Sequence, residues 1–464
     1  MAAHGAGLWF IMPWTCAALR PALAAPAILL LMLALSGCAE LVDADQSRLC
    51  RQVLPVLNPP GTDIRITRSG PGTGPGTVRI VYRAEPPRQP ARTRFVACRF
   101  AGALLARGRQ ELIGVETEAG ALPTASLLFL RRFYLGSGEP LEDPGGLAAT
   151  PGLPNVPHGV AYGAQQLIGA LPQAAVYGLV AAAYSLVYGL AGRIVLGFGE
   201  FAALGGYGAL LGVTLLVQGG GGALAGLGVG LLAALWAAGL HGAVVGRLVV
   251  APLVRGPPLP ALIATTGLML ALAEYQRIAQ GNDLRWVPPV LNAPVALLRS
   301  GDFITTVTPV GLAVTGVALV AGASLSALMR LSAFGRAWRA LADDPGAAAL
   351  CGVDARRMFL ATFGLAAGLA GLAGFVMTAY WGGVGYGAGL TLGLKALVAA
   401  VLGGIGSIGG GFLGGILIGL MEAAWSATMP IESRDIAVFA LLSIVLALRP
   451  GGLFGWRDGG PWRV

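Results

Sequence analysis

The chain holds a single lysine, Lys395, and its setting bears on how the protein is powered. A loop that cradles nucleotide phosphates needs a glycine-rich run ending in a Gly-Lys-Ser/Thr step. Lys395 stands instead in Gly393-Leu394-Lys395-Ala396. ATP hydrolysis by that route is excluded for this chain, so any use of ATP calls for a separate subunit. The histidines His4, His158 and His241 are scattered, and they suggest neither a metal site nor a nucleophile–base pair. Three carboxylates, Glu200, Glu274 and Glu422, fall in or near apolar runs. A carboxylate in hydrocarbon is costly, so each either marks a polar pathway or inter-helix contact, or sits at a helix end within reach of water. Glu200 admits both readings, whereas Glu274 and Glu422 read as helix-end residues.

The densest polar constellation lies between two apolar runs. It reads Gly335-Arg336-Ala337-Trp338-Arg339-Ala340-Leu341-Ala342-Asp343-Asp344-Pro345-Gly346-Ala347-Ala348-Ala349-Leu350-Cys351-Gly352-Val353-Asp354. The pattern is a helix, an Asp-Asp-Pro turn, a short Ala-rich helix and Gly352 as its stop. Pro345 suits a first helical turn, and Asp343 or Asp344 can accept from the exposed backbone N–H groups there. Too polar to insert, such a segment lies along a membrane face and can transmit a push from an attached motor. Cys351 reads as a small buried residue of this loop. A second constellation is glycine-rich: the stretch after Lys395 carries Gly403, Gly404, Gly406 and Ser407 and cannot be one regular helix. A broken helix is tolerated where it is buried or lines a wet cavity, and its half-helix ends can hold a carboxylate or ammonium group. Dense packing alone is the alternative.

Composition says what kind of scaffold positions these residues. Of 464 residues, 55% are hydrophobic and 11% charged, with a mean hydropathy of +0.73. Soluble domains carry about a quarter charged residues, so the balance is that of a bilayer protein. The 73 glycines show no three-residue period and read as close helix packing and broken helices. The net charge of +9 comes largely from arginines in short loops, without the aromatic-interleaved basic stripe of a nucleic-acid binder. Apolar runs long enough to span occur near 167–190, 198–217, 223–245, 259–279, 310–329 and 359–380. A glycine-broken region follows at 392–425, and a last helix at 436–448. The expected fold is an all-α polytopic membrane protein of about eight or nine membrane segments, one broken or re-entrant, with a small N-terminal α+β domain.

Residues 1–38 read as a signal sequence or signal anchor. Arg20 precedes an apolar run ending in Leu35-Ser36-Gly37-Cys38, which resembles the bacterial lipobox and makes Cys38 a lipidation candidate. Residues 39–140 alone have soluble character. Helical spacing over 43–57, alternating runs at 63–67, 78–83, 94–100 and 111–116, and a helix-like stretch over 124–134 predict a small periplasmic α+β domain. An oxidising compartment favours a disulfide between Cys50 and Cys98, the alternative being two separately buried thiols. A Pro/Gly linker, 141–160, leads to the membrane domain, 161–456, and a cytoplasmic tail, 457–464. With residue 160 outside, the inner face receives Arg193, Arg247, Arg255, Arg330, Arg336, Arg339, Arg356, Arg357, Arg449, Arg457 and Arg463. The outer side keeps Arg277, Arg285, Arg299 and Arg434, with Lys395 near it. That asymmetry obeys the positive-inside rule, and an exported domain before residue 160 needs the same topology.

The loop 335–354 resembles the cytoplasmic coupling loop of the branched-chain amino acid ABC permeases. Gly-Arg-Ala, Arg-Ala, Asp-Pro, Ala-Ala-Ala-Leu and Gly-Ile/Val-Asp recur in that family at these spacings. The resemblance continues through the small-residue packing face Ala366-Ala367-Gly368-Leu369-Ala370-Gly371-Leu372-Ala373-Gly374 and through Gly393 to Gly410. It ends in Arg449-Pro450-Gly451-Gly452-Leu453-Phe454-Gly455, similar to the family's terminal Arg-Pro-x-Gly-Leu-Phe. It covers about 165–456 and leaves 39–140 outside.

The resemblance implies a permease subunit, not an enzyme and without a cofactor of its own. Such a subunit forms the pathway for branched-chain amino acids or related small amino or carboxylic substrates in a bacterial inner membrane. The implied partners are a second permease subunit, two ATPase subunits that bind ATP and magnesium, and a periplasmic substrate-binding protein. Implied coupling residues are Gly335, Arg336, Trp338, Arg339, Asp343, Asp344, Pro345, Ala348, Leu350, Gly352 and Asp354. Pathway candidates are Val195, Phe198, Gly199, Glu200, Lys395, Gly403, Gly404, Gly406 and Ser407.

The sequence departs from the family at 186–201. One branch there reads Asn-Phe-Ala-His-Gly-Glu/Asp, and its partner branch reads Leu-Ser-Leu-Gly-His. This chain keeps Gly199 and Glu200 of the first and Leu196-Gly197 of the second, but has Phe198 where both have His and Val195 at the Asn or Ser position. Apolar groups in place of a polar pair alter any hydrogen bonding to substrate or between subunits, which leaves the substrate open. Rival readings are an ion-coupled carrier or channel, which should show paired intramembrane charges, and a permease for urea, amides or another small polar solute. A third reading makes 39–140 an anchored receptor or docking module.

Overall fold

The computed structural model describes residues 44–455, except 75, 88–89, 103–109, 136–142, 146–152, 219–222, 254–255, 288–290 and 302. The segment 1–38 with Cys38, much of the linker, Arg255, and the tail 457–464 with its two arginines lie outside the described residues.

The first part is a sheet with helices on it. Helix α1 (Ala44–Gln52) and a 3-10 turn (Leu54–Leu57) precede strands β1 (Asp63–Pro71), β2 (Thr77–Glu85), β3 (Arg92–Phe100), β4 (Leu112–Thr117) and β5 (Gly120–Ala121). The strands pair antiparallel in sequence order. Helix α2 (Thr124–Phe129) follows, extended by one π turn (Leu130–Tyr134). Alternation decides which face is buried: Val78, Ile80, Tyr82 and Ala84 of β2 all point inward. Register sets Val78 opposite Cys98 and Ile80 opposite Val96. Cys50, Val53 and Leu54, from α1 and the turn after it, close this core. Cys50 and Cys98 are joined by a disulfide, their Cα atoms 5.8 Å apart.

The second part is helical. Helices α3 (His158–Ala191), α4 (Phe198–Gln218) and α5 (Ala223–Val245) come first, and α5 runs on through a π turn to Leu253. Next are α6 (Pro258–Gln280), the strand β6 (Arg285–Trp286) and the hairpin β7 (Val295–Ser300) and β8 (Phe303–Val307). Helix α7 (Pro309–Leu331) leads into two short helices, α8 (Ala333–Asp343) and α9 (Pro345–Leu350). Helix α10 (Ala355–Trp381), strand β9 (Gly383–Val384), α11 (Ala388–Gly403), α12 (Ile408–Ser426) and α13 (Arg434–Leu448) complete it. Among the described residues, six helices are long and apolar enough to cross a bilayer: α3, α4, α5 with its extension, α7, α10 and α12. The chain is a mostly helical polytopic membrane protein. Helix α3, at 34 residues, is about 51 Å long and overshoots a hydrocarbon core of about 30 Å.

Small residues let these helices approach. A Cβ on Gly374 would collide with the Ala202 carbonyl of α4, and one on Gly415 would strike the backbone at Gly178 of α3. Helix α10 is central: Ala366, Ala367, Ala370 and Ala373 are wholly buried against its neighbours. The glycine-broken stretch resolves into two antiparallel helices, α11 and α12, rather than one. Between them Gly404 and Gly406 hold φ of +100° and +94°, a backbone that side chains with a Cβ resist.

Contacts sort the loops to two ends. At one end, Arg193 donates to the Leu253 carbonyl, Trp338 touches Gly189, and Leu453 N–H donates to the Leu402 carbonyl. At the other, Thr305 bonds Ala161, Tyr162 bonds Ala427, and β6 pairs with β9.

Candidate functional site

The loop between α7 and α10 is built by side-chain caps. Ser332 accepts from Gly335 N–H at 3.1 Å and starts α8. Gly335 lies so close to the Met329 backbone that no Cβ fits, and the Arg339 guanidinium donates to the Met329 carbonyl. Arg336 reaches the Leu331 carbonyl. Helix α8 is amphipathic: Trp338 and Leu341 are buried, and Asp343 is exposed. Of the two aspartates it is Asp344 that caps α9, its carboxylate accepting from Gly346 and Ala347 N–H at 2.8 and 3.1 Å, with Pro345 in the first turn. Ala348 packs inward, while Leu350 is 92% exposed at the tip. Gly352, with φ +84°, turns the chain as Val353 N–H bonds the Ala348 carbonyl. Asp354 then caps α10 through Arg356 and Arg357 N–H. Cys351, expected to be buried, is exposed, at the end of α9 just beyond the exposed Leu350.

The residues at 195–200 lie deep inside the subunit. Val195 is buried, and Phe198, with no exposed surface, stacks among Tyr184, Phe201 and Phe363 at centroid distances of 5.1, 6.0 and 5.5 Å. Gly199 lets α4 meet α11, since a Cβ there would strike the Gly389 carbonyl. The Glu200 carboxylate lies against Gly389 in the first turn of α11, and its Oε2 accepts from Gln276 Nε2 at 2.9 Å. Oε1 is buried without a hydrogen bond. Phe198 thus sits in an aromatic cluster, while Glu200 makes a polar contact to α6.

Glu422 departs from its expected place at a wet helix end. It is 1% exposed and ringed by donors from three helices. Lys395 Nζ is 2.8 Å from its Oε1, and Gln173 Nε2 and Tyr177 OH bond its Oε2 at 2.7 and 2.9 Å. Lys395, 5% exposed, also pairs with Asp435 at 2.6 Å, and Arg434 stands 3.8 Å from Glu422. An unpaired carboxylate at that depth would be untenable, and the lysine makes it tenable. Glu274, by contrast, is partly exposed and pairs with Arg277 and Tyr386.

The break between α11 and α12 has its half-helix ends filled by protein. Ser407 accepts from Gly410 N–H, capping α12. The last carbonyls of α11, on Leu402 and Gly403, accept from Leu453 and Phe454 N–H. Gly403 abuts the Gly410 carbonyl, and a Cβ on Gly404 would meet Gly455 at 2.5 Å. The pathway candidates thus divide into three places: Val195–Glu200 against the start of α11, Lys395 in its middle, and Gly403–Ser407 at its end. Gln173, Tyr177, Gln276, Asp435 and Gly189 join these contacts without being among the candidates read from the sequence. Gln173 and Tyr177, four apart in an apolar helix, and Gln276 in another carried a signal, since polar groups in hydrocarbon need partners. Among the described residues no group of His, Cys, Asp and Glu could hold a metal ion.

A family model described as "Branched-chain amino acid transport system / permease component" matches residues 166–447. The high-affinity branched-chain amino acid transport system permease protein LivH of Escherichia coli is 32% identical over 303 residues, 63% of this chain and 96% of that protein. The corresponding BraD protein of Pseudomonas aeruginosa is 32% identical over 295 residues, 63% of this chain and 95% of that one. The autoinducer 2 import system permease protein LsrC of an Enterobacter species is 33% identical over 208 residues, 44% of this chain and 54% of its own length. No solved structure matches the chain significantly.

Proposed function

Because the chain belongs to the family of permease components of branched-chain amino acid transport systems, we propose that it forms one half of the translocation pathway of an ABC importer for branched-chain amino acids or related small amino or carboxylic substrates. Separate ATPase subunits, holding ATP and magnesium, drive it. A second permease subunit completes the pathway, and a periplasmic binding protein delivers substrate. The observation that carries the reading is the family match across nearly all of the helical part.

In this reading α6, α11 and α13 join the six long helices to give nine membrane segments in the inner membrane, with 39–140 periplasmic and the C-terminus cytoplasmic. The end that carries Arg193, Arg330, Arg356 and Arg357 is then the cytoplasmic one, as the positive-inside rule favours. Helices α8 and α9 lie on that face and dock an ATPase through Arg336, Asp343, Asp344, Leu350 and Asp354. Gly335, Trp338, Arg339, Pro345, Ala348 and Gly352 hold the loop's shape. Val195, Phe198, Gly199, Glu200, Lys395, Gly403, Gly404, Gly406 and Ser407 shape the wall of the pathway.

A second reading draws on one observation. The buried Lys395–Glu422 pair is a paired intramembrane charge, the feature an ion-coupled carrier would use. Both members are satisfied by Gln173, Tyr177 and Asp435, which suits a structural tie between helices. Uptake of labelled leucine into vesicles that hold the assembled complex decides between the two. The importer reading expects uptake that needs ATP inside and the binding protein outside, and that vanadate abolishes. Vanadate-insensitive uptake driven by a proton gradient would overturn it.

A further inference from the structure

A push on a surface loop does nothing unless some contact carries it into the membrane. The indole of Trp338 is buried at the end of the bundle where the inner turns of α3, α8 and the α11–α12 break meet. Its benzo edge rests on Gly189 so closely that a Cβ there would come within 2.5 Å of the ring and 3.3 Å of the Gly406 carbonyl. The neighbouring Tyr188 ring also lies against Gly406, where a Cβ would meet it at 3.6 Å. Trp338 Nε1 is buried and makes no hydrogen bond. No polar bond therefore pins the ring, and shape alone keeps it in its slot.

The two sides of this contact are held differently. Helix α8 is tied to the last turn of α7 by Ser332 and Arg339, so Trp338 moves with the loop. Gly404 and Gly406 have the left-handed backbone that marks a break in regular structure. The tail at Leu453 and Phe454 grips the carbonyl end of α11. A helix gripped at one end beside a glycine break turns about that end. The far end of α11 bears Gly389 and Gly393 against Gly199, and its middle bears Lys395.

We propose that Trp338 is the positioning residue through which movement of the α8–α9 loop reaches the Gly404–Ser407 break, pressing on Gly189, which faces the Gly406 carbonyl, and so swinging α11. The inference rests on the reading of that loop as an ATPase dock. The ring's unpaired N–H penalises its present seat, which favours a second seat when α8 shifts. Glycine at 189 is then a requirement of the slot, since any larger residue would expel the indole.

The test uses the complete complex in proteoliposomes and measures labelled leucine imported per ATP hydrolysed, alongside retention of the ATPase subunits on purification. Trp338→Ala is expected to retain the ATPases and to import roughly tenfold less substrate per ATP. Trp338→Phe, which keeps a shorter ring in the slot, falls between. Import per ATP equal to the unaltered complex in either variant overturns the proposal. If Trp338→Ala does not assemble, Trp338→Phe alone decides, by the same ratio. Leu350→Asp, on the exposed tip, reports on the dock separately. Full ATPase retention and coupling in that variant would sink the docking reading, whereas loss of the Trp338 effect alone would sink only the transmission contact.

Discussion

Glu422 is the most deeply buried charge described, and its surroundings explain why α11 carries the chain's one lysine. Lys395 and Arg434 balance Glu422 and Asp435, so three helices share a neutral cluster to which α3 adds Gln173 and Tyr177. A buried pair is worth little relative to an apolar substitute, but removing one partner strands the other charge at a cost of about 3–5 kcal/mol. Lys395→Met is therefore expected to lower the midpoint of thermal unfolding in detergent clearly. Lys395→Met combined with Glu422→Met should recover most of that loss. Asp435→Asn should cost under about 1 kcal/mol, because the Asp435 side chain is more than half exposed and water screens it. A stable double variant that still imports with ATP would confirm the cluster as a tie between helices. One that is stable but inactive would point to a charge used in transport.

Helix α9 has six residues, too few to persist without help from its ends. Asp344 supplies that help by taking two of the N–H groups that would otherwise go unpaired. Asp344→Ala is expected to cost about 1 kcal/mol locally and to speed amide exchange at Gly346 and Ala347, with Asp344→Asn close to the native rate. Equal exchange in all three would show that packing of Ala348, not the cap, holds the turn. This element was legible in the sequence because capping is local: Asp, Pro and Gly at fixed offsets specify a short helix. The helix boundaries were legible for a similar reason, with the expected span 198–217 found as Phe198–Gln218 and 359–380 as Ala355–Trp381. What was illegible depended on residues far apart in the chain. Glu422 read as a helix-end carboxylate because its partners Gln173 and Tyr177 lie some 250 positions earlier. Gly189 gave no sign that an indole from Trp338 would fill the space its missing side chain leaves.

Among the described residues there are two hydrophobic cores, one under the sheet and one among the membrane helices, and neither contains a residue of the other. Separate cores predict separate failure. Within the sheet part, the Cys50–Cys98 bond closes a loop of 48 residues, and by chain entropy its loss costs about 4 kcal/mol. A domain of this size has little stability to spare. Cys98→Ser is thus expected to expose the region 44–135 to protease while 158–455 stays as resistant as before and keeps its ATPase subunits. If uptake also persists at its native rate, the sheet part is not the module that captures substrate. If uptake falls while ATPase association holds, capture or docking belongs to it. Loss of ATPase association would mean that the two cores stand or fall together, against their separation in the structure. Protease mapping on the full chain, read beside vesicle uptake, distinguishes these outcomes in one preparation.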